Sequence, residues 1–113
     1  MNKFVSVLFL IFCFQPSFAS QQNSVQLVSL NVNRQANQVF LRTDIAPVEN
    51  GCHTDLNWNY TFRLETFADQ ALYSTLLAAK VANLKVTLVG FGGCPSYGGA
   101  IEELRWVTVI NQS

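Results

Sequence analysis

One stretch of the chain differs from its neighbours in hydrophobic spacing. Residues 66–83 contain neither glycine nor proline. Small or apolar side chains recur there at intervals of three and four residues, at Ala68, Leu72, Leu76 and Ala79. This spacing places them on one face of a helix. Thr66 can cap the first turn, Asp69 suits the positive end of the helix dipole, and Asn83 can end the last turn in a left-handed conformation. The pattern therefore predicts one amphipathic helix over 66–83.

The segments on both sides of this helix have the period of half-buried strands. Apolar and polar residues alternate there, most clearly at Trp58, Tyr60 and Phe62. The predicted strands are 25–32, 38–43 and 58–63 before the helix, and 84–88 and 101–110 after it. The apolar phase slips near Leu27, which indicates a bulge or bend. The phase of the last strand is mixed, so we expect either burial of both faces or a second bulge.

This element order, three strands, a helix and two strands, predicts a mainly β fold. Five strands in a short chain must protect the edges of their sheet, and closure into a barrel is a common solution. We therefore expect a five-stranded barrel with the helix across one end, in the order of the oligonucleotide/oligosaccharide-binding (OB) fold. The alternative is an open antiparallel sheet with one helix packed across it.

The first 19 residues have the three parts of a secretion signal. Lys3 supplies the positive start, an apolar run covers residues 4–14, and Ser17 and Ala19 suit a signal-peptidase site. The run is shorter than the roughly 20 residues that span a bilayer. We expect removal of residues 1–19, a single domain over 20–113 that does not span a membrane, and a secreted or periplasmic location. The alternative is an uncleaved membrane anchor.

Two cysteines, Cys52 and Cys94, follow this leader. An even number of cysteines in an exported chain favours a disulfide. The bridge would close a loop of about 40 residues, which the loop-closure argument values at about 4 kcal/mol. A pair of free or catalytic thiols is the alternative, although the chain has no Cys-x-x-Cys motif.

The charge balance limits the kind of partner that the chain can bind. The sequence has seven basic and seven acidic residues. Without Lys3 six basic residues remain against seven acidic ones, a net charge of −1. No basic stripe is available to neutralise phosphates, so we do not expect a nucleic-acid partner.

The sequence offers few groups for catalysis. His53 is the only histidine, and we interpret it as a structural or surface loop residue rather than a metal ligand or general base. Asp55, Glu65 and Asp69 could form a carboxylate pair, but acids near a helix start are expected for dipole reasons. We predict no catalytic residue, no metal site, no cofactor and no enzymatic activity.

Glu102 and Glu103 are adjacent, and neighbouring residues on a strand point to opposite faces. We expect them to lie on a solvated surface rather than to form a carboxylate pair.

Two aromatic residues are candidate ligand-binding residues. Trp58 belongs to the aromatic face of the third strand, which is either part of the core or a stacking platform for sugars or bases. Tyr97 lies in the glycine-rich loop 90–99. That loop lacks the Lys-Ser/Thr of a phosphate-binding loop, and its glycines suit tight turns beside the disulfide. An exposed aromatic in such a loop could still contact a ligand.

A resemblance to a known family rests on several short segments and single residues. They are Val39-Phe40-Leu41, Cys52, Trp58, Gln70-Ala71-Leu72-Tyr73, Val86-Thr87-Leu88 and Cys94. Through them, residues 39–94 resemble the exported OB-fold B subunits of bacterial AB5 toxins, of the subtilase-cytotoxin and pertussis-like kind, and related small exported bacterial proteins. The resemblance implies a pentameric ring that binds cell-surface glycans. None of the family's sugar-contacting residues maps to a position here.

The sequence thus favours an exported binding module whose partner is a glycan or another protein, with homo-oligomers compatible with that role. The alternative is a structural or inhibitory periplasmic protein that contacts another protein and has no small-molecule ligand. A small hydrolase, built on His53 or a carboxylate pair, is the third hypothesis.

Overall fold

The computed structural model describes residues 19–49 and 51–110, except for the side chain of Tyr97. The elements are β1 (Gln21–Asn33), β2 (Gln38–Thr43), β3 (Tyr60–Arg63), α1 (Phe67–Ala82), β4 (Lys85–Gly90) and β5 (Leu104–Ile110). A short 3-10 turn, Tyr97–Gly99, lies in the glycine-rich loop. The predicted mainly β fold and its element order are confirmed. The predicted leader lies outside the described residues, apart from Ala19.

Helix α1 has the predicted ends. The Thr66 hydroxyl accepts the Asp69 amide at 3.1 Å, and the Asp69 carboxylate accepts the Thr66 amide at 2.9 Å. This reciprocal capping box satisfies amide groups that the first turn leaves without helical partners. Asn83 closes the other end with a left-handed φ of 61°. Leu76 and Ala79 are buried, Leu72 is partly buried against the core and Ala68 is exposed, so burial of the apolar stripe decreases toward the start of the helix.

The five strands form one antiparallel sheet in the order β3-β2-β1-β4-β5. Strand β1 is long enough to serve two partners, since its first half pairs with β4 and its second half with β2. The β1–β2 register shifts between Leu27 and Ser29, as predicted. The β1–β4 register shifts between Gln22 and Val25, where Ser24 has a φ of 56°. These irregularities let one strand bend between its two neighbours.

The sheet is not closed into a barrel, which corrects the expectation of full closure. In the described part of the chain, β3 and the start of β5 meet at one parallel bridge between Thr61 and Glu103. The Thr61 amide there donates to the Glu102 carbonyl at 3.1 Å. Strand β3 has four residues and β5 begins one residue after the bridge, so the two edges have little length in common.

The core lies between the sheet and the second half of α1. Its buried members are Val25, Leu27, Val39, Leu41, Tyr60, Phe62, Leu76, Ala79, Val86, Leu88 and Leu104. Tyr60 and Phe62 are 1% and 2% exposed. These two residues of the aromatic face therefore form core rather than a stacking platform.

The predicted disulfide is present. Cys52 and Cys94 are bonded, with their Cα atoms 5.9 Å apart and a sequence separation of 42. The bridge joins the loop before β3 to the glycine-rich loop after β4. In the described ranges, no helix combines the length and the hydropathy that crossing a bilayer requires.

Candidate functional site

Strand β5 has a bulge near its start. Val89 pairs with Trp106 and Gly90 pairs with Leu104, so Arg105 is an extra residue in the β4–β5 ladder. Arg105 and Trp106 are consecutive and both are exposed, whereas a regular strand would direct one of them to each face. The bulge, one of the two alternatives predicted for this strand, thus presents two large side chains to solvent.

These side chains form an exposed cluster with Phe91, the residue that follows β4. The guanidinium carbon of Arg105 lies 4.8 Å from the centre of the Trp106 ring and 5.7 Å from that of Phe91. Both distances fall within the range of cation–π contacts. Trp106 is 47% exposed and Phe91 is 56% exposed. We call Phe91, Arg105 and Trp106 the aromatic–arginine cluster.

A groove with a volume of about 480 Å³ runs beside this cluster, between α1 and β5. We call it the α1–β5 groove. Ala68 and Ala71 line its helical side, and their small, exposed side chains leave space above the sheet. Phe62 and Leu104 line it from the core. The volume lies in the range of small-ligand sites, and apolar surface with a few polar groups is their usual composition.

Two carboxylates, Asp69 and Glu103, also line the groove. Asp69 uses one oxygen to cap the helix, accepting the amides of Glu65 and Thr66 at 2.9 Å each. Glu103 accepts a hydrogen bond from the Ser96 hydroxyl at 3.2 Å. The groove therefore offers acceptor oxygens as well as the donor groups of Arg105, a combination that suits a polar ligand with an apolar face.

The remaining predicted carboxylates have local roles. Asp55 accepts the Asn57 amide at 3.0 Å. Glu65 Oε2 lies 3.6 Å from Arg63 Nη1. Both side chains are more than half exposed, so this ion pair contributes little to stability.

Glu102, the residue before Glu103, is fully buried, which corrects the expectation that it lies on a solvated surface. Its carboxylate accepts the Ser20 amide at 3.0 Å, the Ser20 hydroxyl at 2.6 Å and the Gly92 amide at 2.9 Å. These hydrogen bonds offset the cost of removing the carboxylate from water. The site has space because residue 90 is glycine. A Cβ at Gly90 would collide with the Glu102 carboxylate and lie 2.9 Å from a Tyr60 ring carbon.

Tyr60 extends this hydrogen-bonded group. Its hydroxyl lies 2.6 Å from the Ser20 hydroxyl. Since the Ser20 hydroxyl donates its one proton to Glu102, Tyr60 donates to Ser20. The pKa of Tyr60 is raised from 10.0 to about 12, mainly by burial; the Ser20 hydrogen bond acts to lower this pKa and the charge of Glu102 to raise it. We call Ser20, Tyr60 and Glu102 the Glu102 cluster.

His53 is a structural loop residue, one of the interpretations made from the sequence. It is 2% exposed. Nδ1 accepts the Glu102 amide at 3.1 Å, so the proton resides on Nε2, which lies 2.9 Å from the carbonyl oxygens of Asp55 and Trp58. Both ring nitrogens thus bind backbone. Among the described residues, no group of three or more His, Cys, Asp and Glu is placed to hold a metal.

The two predicted ligand-binding residues lie on loops. Trp58 precedes β3, is half-buried, and packs on Phe40 with ring centres 5.4 Å apart and planes tilted by 39°. It does not line the α1–β5 groove. Tyr97 begins the 3-10 turn, and its side chain is outside the described structure. A ligand contact at either residue stays a prediction.

The aromatic–arginine cluster was not predicted from the sequence. The mixed phase of the last strand was the available signal, because a bulge is one way to expose consecutive residues such as Arg105 and Trp106. Nothing in the local sequence indicated that Phe91 would lie beside Arg105.

Comparison of the chain with protein-family models, curated proteins and solved structures gave no match. The resemblance to toxin B subunits stays a prediction.

Proposed function

We propose that this protein is an exported binding module that recognises a glycan in the α1–β5 groove. The aromatic–arginine cluster carries this proposal. A sugar ring has apolar C–H faces that pack on aromatic rings, and hydroxyl groups that bond to planar polar side chains. Trp106 and Phe91 supply exposed rings, while Arg105 and the groove carboxylates supply donors and acceptors.

Binding rather than catalysis is proposed because the titratable groups near the groove have structural partners. Asp69 caps the helix, Glu103 binds Ser96, and Glu102 and His53 lie in buried hydrogen-bonded positions. No cofactor is part of the proposal.

Export is proposed from the leader, with the disulfide in support. Disulfides persist mainly in oxidising compartments, so the bond between Cys52 and Cys94 fits a secreted or periplasmic protein. A ring of subunits like that of toxin B subunits would place several grooves on one assembly and raise avidity for a cell surface. Sedimentation of the exported protein tests the ring, and a monomer would contradict that part alone.

A glycan array with the exported protein tests the ligand. Trp106→Ala should weaken binding to the best glycan by roughly 5- to 150-fold, taking base–aromatic stacking of about 1–3 kcal/mol as a guide. Val81→Ala is the matched control, since Val81 is an exposed apolar residue (79%) on α1 that does not line the groove. It should leave binding unchanged.

Trp58→Ala tests whether the ligand binds in the groove or at the loop tryptophan, Trp58. Loss of binding in this variant, with Trp106→Ala unaffected, would assign the ligand to Trp58 and contradict the groove. Trp58→Phe leaves Trp106 as the only tryptophan. A change in its fluorescence on addition of the glycan would place the ligand beside Trp106.

The second candidate is a protein-contacting module with no small-molecule ligand. The observation that favours it is the position of β5, which ends the sheet and exposes Val109 (37%) and Trp106. An edge strand can pair with a strand of a partner. Val109→Lys should abolish such pairing and spare glycan binding in the groove. Absence of array binding together with a stoichiometric complex sensitive to this change would favour the second candidate.

A further inference from the structure

Ser20 would be the first residue of the processed chain if the leader is cut after Ala19. Ala19 is exposed, whereas Ser20 is 7% exposed. The Ser20 carbonyl accepts the Gly90 amide at 3.0 Å, and the Ser20 amide donates to the Glu102 carboxylate at 3.0 Å. Among the described residues, the first buried one therefore directly follows the predicted cleavage site.

Cleavage at this position changes the donor that faces Glu102. Hydrolysis of the Ala19–Ser20 bond consumes one water and leaves a carboxylate on Ala19 and an amine on Ser20. The amine takes up a proton below its pKa, which is ordinarily about 7.7–8.0. A neutral amide with one N–H thus becomes an ammonium with three. The hydrogen bond to Glu102 becomes a charge-assisted one, which is shorter and stronger.

We propose that removal of residues 1–19 completes the fold, because the new ammonium of Ser20 forms a buried ion pair with Glu102 and makes the processed chain more stable than the precursor. This inference rests on the proposed export and cleavage site, and it is independent of the groove's ligand. The pair would connect the start of β1 to the glycine-rich loop, since Glu102 also holds the Gly92 amide.

Two chains that differ by one exposed residue test the pair. One begins at Ser20 and the other at Ala19, both released from the same fusion by the same protease. In the second chain the amine is one residue further out and position 20 keeps its neutral amide. The chain that begins at Ser20 should melt roughly 5–10 °C higher at pH 7. Equal melting temperatures would overturn the proposal.

The pH dependence separates an ion pair from a neutral hydrogen bond. A carboxylate partner raises the pKa of the amine above its unfolded value. At pH values where Glu102 carries its charge, the added stability is then fully present below about pH 7.7 and is lost as pH rises through the higher, folded pKa. Glu102, Tyr60 and His53 are the titratable groups around this position, and both chains contain all three. The difference between the two melting curves therefore reports the amine, and a pH-independent difference would contradict the pair.

Glu102→Gln in both chains completes the cycle. Glutamine keeps the shape of the side chain and removes its charge, so the melting difference between the two chains should fall to almost nothing. A difference that persists would overturn the proposal, and if the glutamine variants do not fold, the pH comparison decides. N-terminal sequencing of the exported protein should give Ser20 first, and another natural N-terminus would also overturn it. None of these readouts involves glycan binding, so a failure of the groove proposal is recognised separately.

Discussion

Glu102 and Trp106 are four residues apart, and they mark two regions that use polar chemistry in opposite ways. The Glu102 carboxylate is completely buried and accepts hydrogen bonds from Ser20 and Gly92. Trp106 is nearly half exposed and lies beside the exposed Arg105. The first region connects distant parts of the chain, whereas the second directs its side chains toward solvent.

The difference shows why burial has to be known before a charged residue is assigned a role. A buried carboxylate without donors would cost several kcal/mol. The partners of Glu102 therefore make it a structural centre, because its donors hold the start of β1 and the loop after β4 together. Arg105 bears no such constraint, and its exposed position over two aromatic rings is suited to binding. The Glu102 cluster should thus govern stability, and the aromatic–arginine cluster should govern ligand affinity.

Removal of the disulfide should have the largest effect on stability. The double variant Cys52→Ser, Cys94→Ser should lose about 4 kcal/mol of unfolding free energy, because the unfolded chain regains the freedom of a 42-residue separation. Urea denaturation measures this loss. The bridge holds the loop that supplies the Gly92 amide to Glu102, so its removal should weaken the Glu102 cluster before the rest of the fold. Reduced wild-type protein should behave like the variant, and unchanged unfolding under reducing conditions would show that the bridge does not stabilise the fold.

Gly90→Ala should have the next largest effect, about 3 kcal/mol, which is the upper end of the usual cost of overpacking. The added methyl would collide with the Glu102 carboxylate and crowd the Tyr60 ring. Gly93→Ala is the matched control in the same loop region, since a Cβ at Gly93 would have Pro95 Cδ, at 3.9 Å, as its nearest neighbour. Thermal denaturation of both variants measures the contrast. Equal melting temperatures would mean that the Glu102 cluster does not need the space at Gly90.

Alkaline pH should weaken the buried region through Tyr60. Its pKa is raised from 10.0 to about 12 in the folded state. Between these values the folded chain holds a proton that the unfolded chain releases. Stability is therefore retained below pH 10 and falls by about 2 kcal/mol as pH rises toward 12. Unfolding curves across this range measure the fall. Tyr60→Phe should remove this contribution and Trp106→Ala should leave it intact, and the opposite pattern would contradict the assignment.

Local sequence patterns predicted the helix and the strands because the determinants of those elements are local. Thr66 and Asp69 lie within one helical turn, and Asn83 follows the last turn, so the helix ends could be read directly. The slip near Leu27 predicted a bulge for the same reason. The disulfide was predicted from the even number of cysteines after the leader and from the oxidising compartment expected for an exported chain, and not from geometry. Closure of the sheet depends on where β3 and β5 meet, which strand patterns do not specify.

The two clusters could not be predicted because their members are far apart in sequence. Ser20 and Glu102 are separated by 82 residues, and Tyr60 lies 40 residues from Ser20. Adjacent acids usually occur at a surface, so the sequence predicts Glu102 there. Its burial depends on donors from Ser20 and Gly92, which lie in two other segments of the chain. The same holds for the aromatic–arginine cluster, in which Phe91 reaches Arg105 only after β4 and β5 have paired.

Loss of the helix cap should have the smallest effect, and it bears on the groove. Thr66→Ala should cost about 1 kcal/mol, because the Asp69 amide loses its acceptor at the first turn. Ser74→Ala, in the exposed middle of α1, should change stability by no more than a few tenths of a kcal/mol. The capped turn also carries Ala68 and Asp69 of the groove wall. Thr66→Ala should therefore weaken glycan binding, by less than Trp106→Ala does, and isothermal titration with the array's best glycan measures both. Full affinity in Thr66→Ala would mean that the ligand contacts β5 and not the first turn of the helix.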